Sequence, residues 1–153
     1  MFGEWADYYV RNGLGRYIDQ AEVMEILTEA DKANLVLQPS NSKDIALMCG
    51  CCCAVLTRIK RHPRPSQLVA SHFIARHEPE TCDGCGVCVD RCQMEALTLE
   101  DDRAVLNSDR CIGCGLCVST CPTGSLSLVR KPASEQIEVP TTLNATWREL
   151  SQA

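Results

Sequence analysis

Eight cysteines of this chain fall into two runs of one spacing, Cys82, Cys85, Cys88, Cys92 and Cys111, Cys114, Cys117, Cys121, each reading C-x2-C-x2-C-x3-C. Three thiols at successive three-residue steps can wrap a short loop around one compact object, while the fourth, on the turn of helix that follows, points away from it. The spacing is that of paired [4Fe-4S] clusters, in which the fourth cysteine of each run serves the other cluster. The expected ligand sets are therefore crossed: Cys82, Cys85, Cys88 and Cys121 around one cube, and Cys111, Cys114, Cys117 and Cys92 around the other.

Gly84, Gly86, Gly113 and Gly115 stand between these cysteines, where the backbone must pass close to a cluster. Amides of such loops can donate to cluster sulfurs and raise the potential. Pro122 follows the last cysteine, whereas Gln93 takes the corresponding place in the first run, a position that supplies no ligand. Other thiol chemistry fits less well. A structural zinc uses four ligands in paired knuckles and leaves the middle cysteine of an evenly spaced trio without a role. Disulfides require an oxidising compartment, and Met1-Phe2-Gly3-Glu4-Trp5-Ala6-Asp7 lacks the charged-then-apolar pattern of a secretory signal, so a cytoplasmic location is expected. A redox dithiol needs only one C-x-x-C.

With 153 residues the chain suffices for one ordinary domain or two small ones. Its 45% hydrophobic content includes the twelve cysteines, and aromatic residues reach only 5%, so a purely apolar core must be small. Metal ligation then becomes folding free energy, and the cluster-bearing half is expected to be largely unfolded without metal. No apolar run of about 18 residues occurs, so no membrane span is expected. The formal charge of −5 reaches about −9 once two oxidised cubes with their thiolates add about −2 each. That sign suits docking to a basic patch on a redox protein or an oxidoreductase subunit, and argues against nucleic acid as a partner.

Residues 82–99 align with 111–128 at an offset of 29, matching at the cysteines, the glycines, Val89 with Val118, Leu97 with Leu126 and Leu99 with Leu128. Each unit reads as a cluster loop, a short helix and an alternating strand, Ala96-Leu97-Thr98-Leu99-Glu100 and Ser125-Leu126-Ser127-Leu128-Val129. Asp101-Asp102-Arg103 turns the first strand into Ala104-Val105-Leu106-Asn107. The fold class expected is α+β. A pseudo-twofold, two-[4Fe-4S] bacterial ferredoxin-like domain occupies 73–131. It is preceded by a small, mostly helical domain over 1–61 and a linker over 62–72, and followed by a tail over 132–153. Leu97, Leu99, Val105, Leu126 and Leu128 are expected to fill its interior.

Upstream, Glu4 to Asn12 with Gly13 as its stop predicts a short helix, whose Tyr8-Tyr9 pair is assigned to packing. Asp19 and Glu22 form a capping-box-like start for a second helix, with Ile18 stapled against Val23 and an inward stripe of Met24, Leu27 and Ala30. Pro63 and Pro65 in His62-Pro63-Arg64-Pro65-Ser66 block helix continuation and read as a stiff turn.

Cys49-Gly50-Cys51-Cys52-Cys53 gathers the remaining thiols beside a helical pattern through Val55, Leu56 and Ile59. On a helix Cys49, Cys52 and Cys53 share a face and Cys51 points elsewhere; on a strand, neighbours alternate. Neither arrangement surrounds one cube, although irregular backbone at Gly50 relaxes that restriction. Three readings stay open. One is a third cluster or a zinc that takes further ligands from elsewhere, with His62, His72 and His77 as extra candidates. The others are a redox-active thiol patch, and structural thiols that pack as small hydrophobes.

Asn12-Gly13-Leu14-Gly15-Arg16, Leu37-Gln38-Pro39-Ser40-Asn41, the cysteine-rich segment, Arg61-His62-Pro63-Arg64-Pro65, Cys82 to Gln93-Met94 and Cys111 to Cys121-Pro122-Thr123-Gly124 together resemble one family. It is the C-terminal part of bacterial and archaeal 4Fe-4S dicluster ferredoxin-type proteins. The resemblance covers most of the chain. Many ferredoxins share the cluster motifs, whereas the cysteine-rich segment ahead of His-Pro-Arg-Pro is more particular to this group. Such relatives are longer, with a helical, winged-helix-like region and further cysteines upstream. Nothing in the sequence supplies a substrate pocket, a nucleotide loop or an acid–base pair. The expectation is electron transfer without independent catalysis, by a carrier or by the ferredoxin subunit of an anaerobic oxidoreductase. An alternative is an iron–sulfur sensor that regulates a partner through residues 1–61, although the helix after Asp19 is acidic at Glu22, Glu25 and Glu29. A third is a thiol–disulfide enzyme using the cysteines of 49–53.

Overall fold

The computed structural model describes residues 3–39, 45–142, 144, 145 and 148. Ser40, Asn41 and part of the C-terminal tail lie outside the described residues. The chain divides into two compact units, one drawn from 1–47 and 139–153 and the other from 48–138.

In the first unit, α1 (Glu4–Arg11) ends where the amide of Gly13 donates to the carbonyl of Val10 at 3.0 Å and that of Leu14 to Tyr9 at 2.9 Å. Trp5, Tyr8 and Tyr9 meet edge to face, with ring centroids 6.5 and 5.6 Å apart. α2 (Gln20–Lys32) is capped by Asp19, whose carboxylate accepts from the Glu22 amide at 2.8 Å. The reciprocal half of the capping box is replaced. The Glu22 carboxylate takes a two-pronged pair from the Arg16 guanidinium instead, a stronger partner than a backbone amide. The inward stripe also shifts: Ala30 is buried, but Met24 is 56% exposed, and Val23 joins Leu27 on the covered side. Beyond α2, β1 (Val36–Pro39) pairs with β2 (Ile45–Met48), so the region ahead of the clusters is not helical throughout.

The second unit contains α3 (Ala54–Arg61), β3 (Phe73–His77), α4 (Val87–Arg91), β4 (Leu97–Glu100), β5 (Arg103–Leu106), α5 (Leu116–Ser119) and β6 (Leu126–Arg130). β4 and β5 form an antiparallel hairpin with Leu97 opposite Leu106 and Glu100 opposite Arg103. Asp101 and Asp102 make its two-residue turn, both at positive φ as a type I′ turn demands. β6 pairs antiparallel with β3, Phe73 facing Arg130 and His77 facing Leu126. β3 lies upstream of the internal repeat, so the duplication itself does not announce it.

Because strand side chains alternate, Ala104 turns inward and Val105, 41% exposed, turns out, which corrects its place in the expected interior. Leu97 and Leu126 are buried. Leu99 and Leu128, at 45% and 39% exposure, do not fill the centre. They lie across the cluster loops, where a Cβ on Gly86 or Gly115 would stand 3.3 and 3.6 Å from them. Met94, Ala96, Ile112 and Leu116 occupy the interior together with the thiols of Cys88, Cys111 and Cys117.

The proline stretch packs onto this unit rather than forming a free linker. Pro65 is buried, the Ser66 amide donates to the Asp109 carbonyl at 3.0 Å, and the Arg110 guanidinium reaches the carbonyls of Met94 at 2.8 Å and Lys60 at 3.1 Å. A rigid five-donor fork suits this clamping of two segments. The boundary between units accordingly falls after Leu47, not at residue 61, and the cysteine-rich segment goes with the repeats.

Gly84 and Gly113 hold equivalent places in the repeats, with φ of 71° and 68°. A Cβ on Gly84 would collide with the backbone carbonyl of Asp102, and one on Gly113 with that of Phe73. Backbone cannot step aside as the end of a flexible side chain can. Gly113→Ala is expected to cost at least about 2 kcal/mol and to lower the thermal midpoint of the metal-loaded protein, followed by visible absorption. An unchanged midpoint would show that the loop is free to shift.

Candidate metal centres

Gly86 and Gly115 immediately precede α4 and α5, which places Cys88 and Cys117 on the first turn and Cys92 and Cys121 just beyond the last. The fourth cysteine of each run thereby faces the loop of the other. Arg91 holds the two helices together by donating from Nε to the Leu116 carbonyl at 3.3 Å. Two cavities result. Cys92, Cys111, Cys114 and Cys117 line one, walled by Ala75, Met94, Leu97 and Ile112. Cys82, Cys85, Cys88 and Cys121 line the other, with Leu99, Ala104 and Ser125.

The quartets differ in polarity. Burial alone raises the Cys121 thiol, but hydrogen bonds with the Ser125 and Thr123 hydroxyls and the backbone at Leu126 and Ser125 outweigh it and bring it down to about 7. The Ser125 hydroxyl lies 3.2 Å from Cys121 Sγ. Cys82 is held below its ordinary value by backbone hydrogen bonds at Ala104 and Gly84. In the other quartet Cys92 Sγ accepts from the Ala96 amide at 3.1 Å, and Ala96, the repeat counterpart of Ser125, brings no hydroxyl. Burial pushes Cys117 up to about 12 and raises Cys114, with neighbouring thiols adding to both. Burial likewise raises Cys88.

Such thiols would lose their protons to solvent on binding a cation, whose charge reverses the local penalty. Four soft donors around each cavity, apolar walls and hydrogen-bond donors at the sulfurs fit an iron–sulfur cube. Sequence reasoning missed Ser125 and Thr123, whose only signal is a hydroxyl two and four residues after the last cysteine.

The third cysteine group is a turn, since α3 begins only at Ala54. The turn is closed by the Cys53 amide on the Cys49 carbonyl at 3.3 Å. Cys49 Sγ lies 2.9 Å from Cys51 Sγ and 3.0 Å from Cys52 Sγ, so Cys51 converges with Cys49 and Cys52, and Cys53 does not join them. The segment therefore follows neither the helical nor the strand arrangement but the irregular backbone that Gly50 allows. Hydrogen bonds from Cys51 and Cys52 bring Cys49 down to about 6, and hydrogen bonds with Cys49 and Cys51 push Cys52 up to about 11. The Gly50 amide donates to Gln93 Oε1 at 2.8 Å, which gives a structural use to the glutamine that stands in place of proline. None of the three histidines joins the trio. His62 Nδ1 bonds the backbone of Arg64, His72 Nε2 lies 3.1 Å from the Ile137 carbonyl, and His77 Nε2 is buried in β3 without a partner.

Comparison with known protein families matches residues 81–125 to the 4Fe-4S dicluster domain. No curated protein matches the chain significantly. Among the described residues no helix is long and apolar enough to cross a membrane. The matched span contains both quartets, and with them the chain carries a ferredoxin-type 4Fe-4S dicluster domain.

Proposed function

We propose that the chain is an electron carrier with two [4Fe-4S] clusters, one on Cys82, Cys85, Cys88 and Cys121 and one on Cys111, Cys114, Cys117 and Cys92. The observation that carries this reading is that each cavity is lined by three thiols of one repeat and the fourth thiol of the other. A pseudo-twofold ferredoxin arrangement, with the helices and small sheet of 1–47 ahead of it, is part of the same reading. Clusters bound there supply one-electron redox chemistry at potentials tuned by the chain. The Ser125 and Thr123 hydroxyls stabilise added negative charge at Cys121, whereas Cys92 has an alanine at the equivalent place. The first site is therefore the more easily reduced of the two. The acidic charge suits a basic redox partner. The chain acts without catalysis of its own, in the cytoplasm, as a free carrier or as the ferredoxin subunit of an anaerobic oxidoreductase.

The test is anaerobic purification followed by iron and sulfide assays and voltammetry. About eight of each and two one-electron waves are expected. Ser125→Ala is expected to lower one wave by roughly 40 mV, the one-electron equivalent of about 1 kcal/mol of hydrogen bonding, and to leave the other in place. Iron near four, or no reversible reduction, defeats the reading.

A further inference from the structure

The turn from Cys49 to Cys52 lies outside both quartets and has a geometry of its own. Its three sulfurs all fall within 4.8 Å of one another. Thiolates that radiate from a polynuclear core are held apart by that core. Two bonds of about 2.3 Å at a tetrahedral angle instead leave sulfurs about 3.8 Å apart on a single ion. Among the described residues no other three His, Cys, Asp or Glu side chains bring ligand atoms this close, and the quartets around the two cavities do not.

We propose that Cys49, Cys51 and Cys52 form a mononuclear site for a soft divalent ion of the zinc class, with the fourth coordination place open. Thiolate donors select soft or borderline ions over magnesium or calcium. Cys51 and Cys52 are exposed, so the open place faces solvent, where a water or a donor from a partner completes the tetrahedron. Three protein ligands with one open place distinguish an exchangeable site from a closed structural one. Loading releases the thiol protons and changes no oxidation state.

The turn is built to stay in place. Thr57 Oγ1 donates to the Gly50 carbonyl at 3.4 Å, and the Gly50 amide is bound by the side chain of Gln93, the residue after Cys92. Any Cβ at position 50 would stand 2.5 Å from Gln93 Oε1, so glycine permits the close approach. The ion is thereby seated directly beside a ligand loop of the second quartet, and Cys53, at the start of α3, is not part of the donor set.

The test uses the full chain, purified anaerobically with its iron, equilibrated with zinc and freed of excess. One zinc per chain is expected, with X-ray absorption at the zinc edge showing three sulfurs at about 2.3 Å and one lighter atom. Cys51→Ser or Cys52→Ser is expected to weaken zinc binding at least about tenfold with iron and sulfide unchanged, and Cys53→Ser to leave zinc binding as it is. The proposal is overturned if the wild-type protein keeps no zinc and all three thiols alkylate freely. It is equally overturned by a disulfide within 49–52 in the anaerobic protein, or by iron well above about eight. Zinc and iron are assayed separately, so failure of this site is distinguishable from failure of the two-cluster reading.

Discussion

Cys121→Ala is expected to empty the site of Cys82, Cys85 and Cys88 while the site of Cys111, Cys114 and Cys117 stays filled, although residue 121 belongs by sequence to the second run. Iron should fall from about eight to about four per chain, with loss of the more easily reduced wave. The reason is directional. α5 ends at Ser119, and the chain then carries Cys121 past the helix end into the cavity lined by the first loop, where Ser125 also lies. Cys92→Ala is the mirror experiment and should remove the other wave, because Cys92 lines the cavity of the second loop. Loss of each variant's own run instead would sink the crossed assignment, and with it the account of why two such short loops hold together.

Stripping the iron with a chelator is expected to abolish the cooperative fold of residues 48–138, seen as loss of circular dichroism and of any sharp thermal transition. The polypeptide alone has little to hold it. Its sheets are two pairs of strands, β3 with β6 and β4 with β5, and isolated pairs are marginal in water. α4 and α5 span 5 and 4 residues, far below the length at which helices persist unaided. Ala75, Ala96 and Ala104 sit at the centre, leaving room beside the thiols instead of filling it. Structural metal sites contribute on the order of 10 kcal/mol to folding, enough to decide the matter. A metal-free unit that kept its dichroism and melted sharply would show that hydrophobic burial suffices.

The same scarcity explains which features the sequence disclosed. Spacing of two and three residues between cysteines leaves the backbone few paths, so the two loops, the helix after each, and the crossed grouping of thiols around two cavities are legible residue by residue. Periodicity placed β4, β5 and β6 within a residue of where they lie. It misjudged Val105 by one step of the alternation. It also placed Leu99 and Leu128 in the centre, because the pattern of a strand states which face a residue occupies and not what covers that face.

What the sequence by itself determined is therefore local: ligand loops, short helices, the hairpin turn at Asp101 and Asp102, and the cap at Asp19. Each depends on neighbours within a few positions, where covalent geometry leaves little choice. Tertiary structure alone decided that β3 pairs with β6, that Arg110 ties Lys60 of α3 to Met94, and that Gln93 receives the Gly50 amide. It also decided that Cys51 rather than Cys53 completes the third thiol group, because the start of α3 at Ala54 turns 49–52 out of helical register. These contacts join residues far apart in the chain or hinge on where an element begins, and no short-range pattern encodes either.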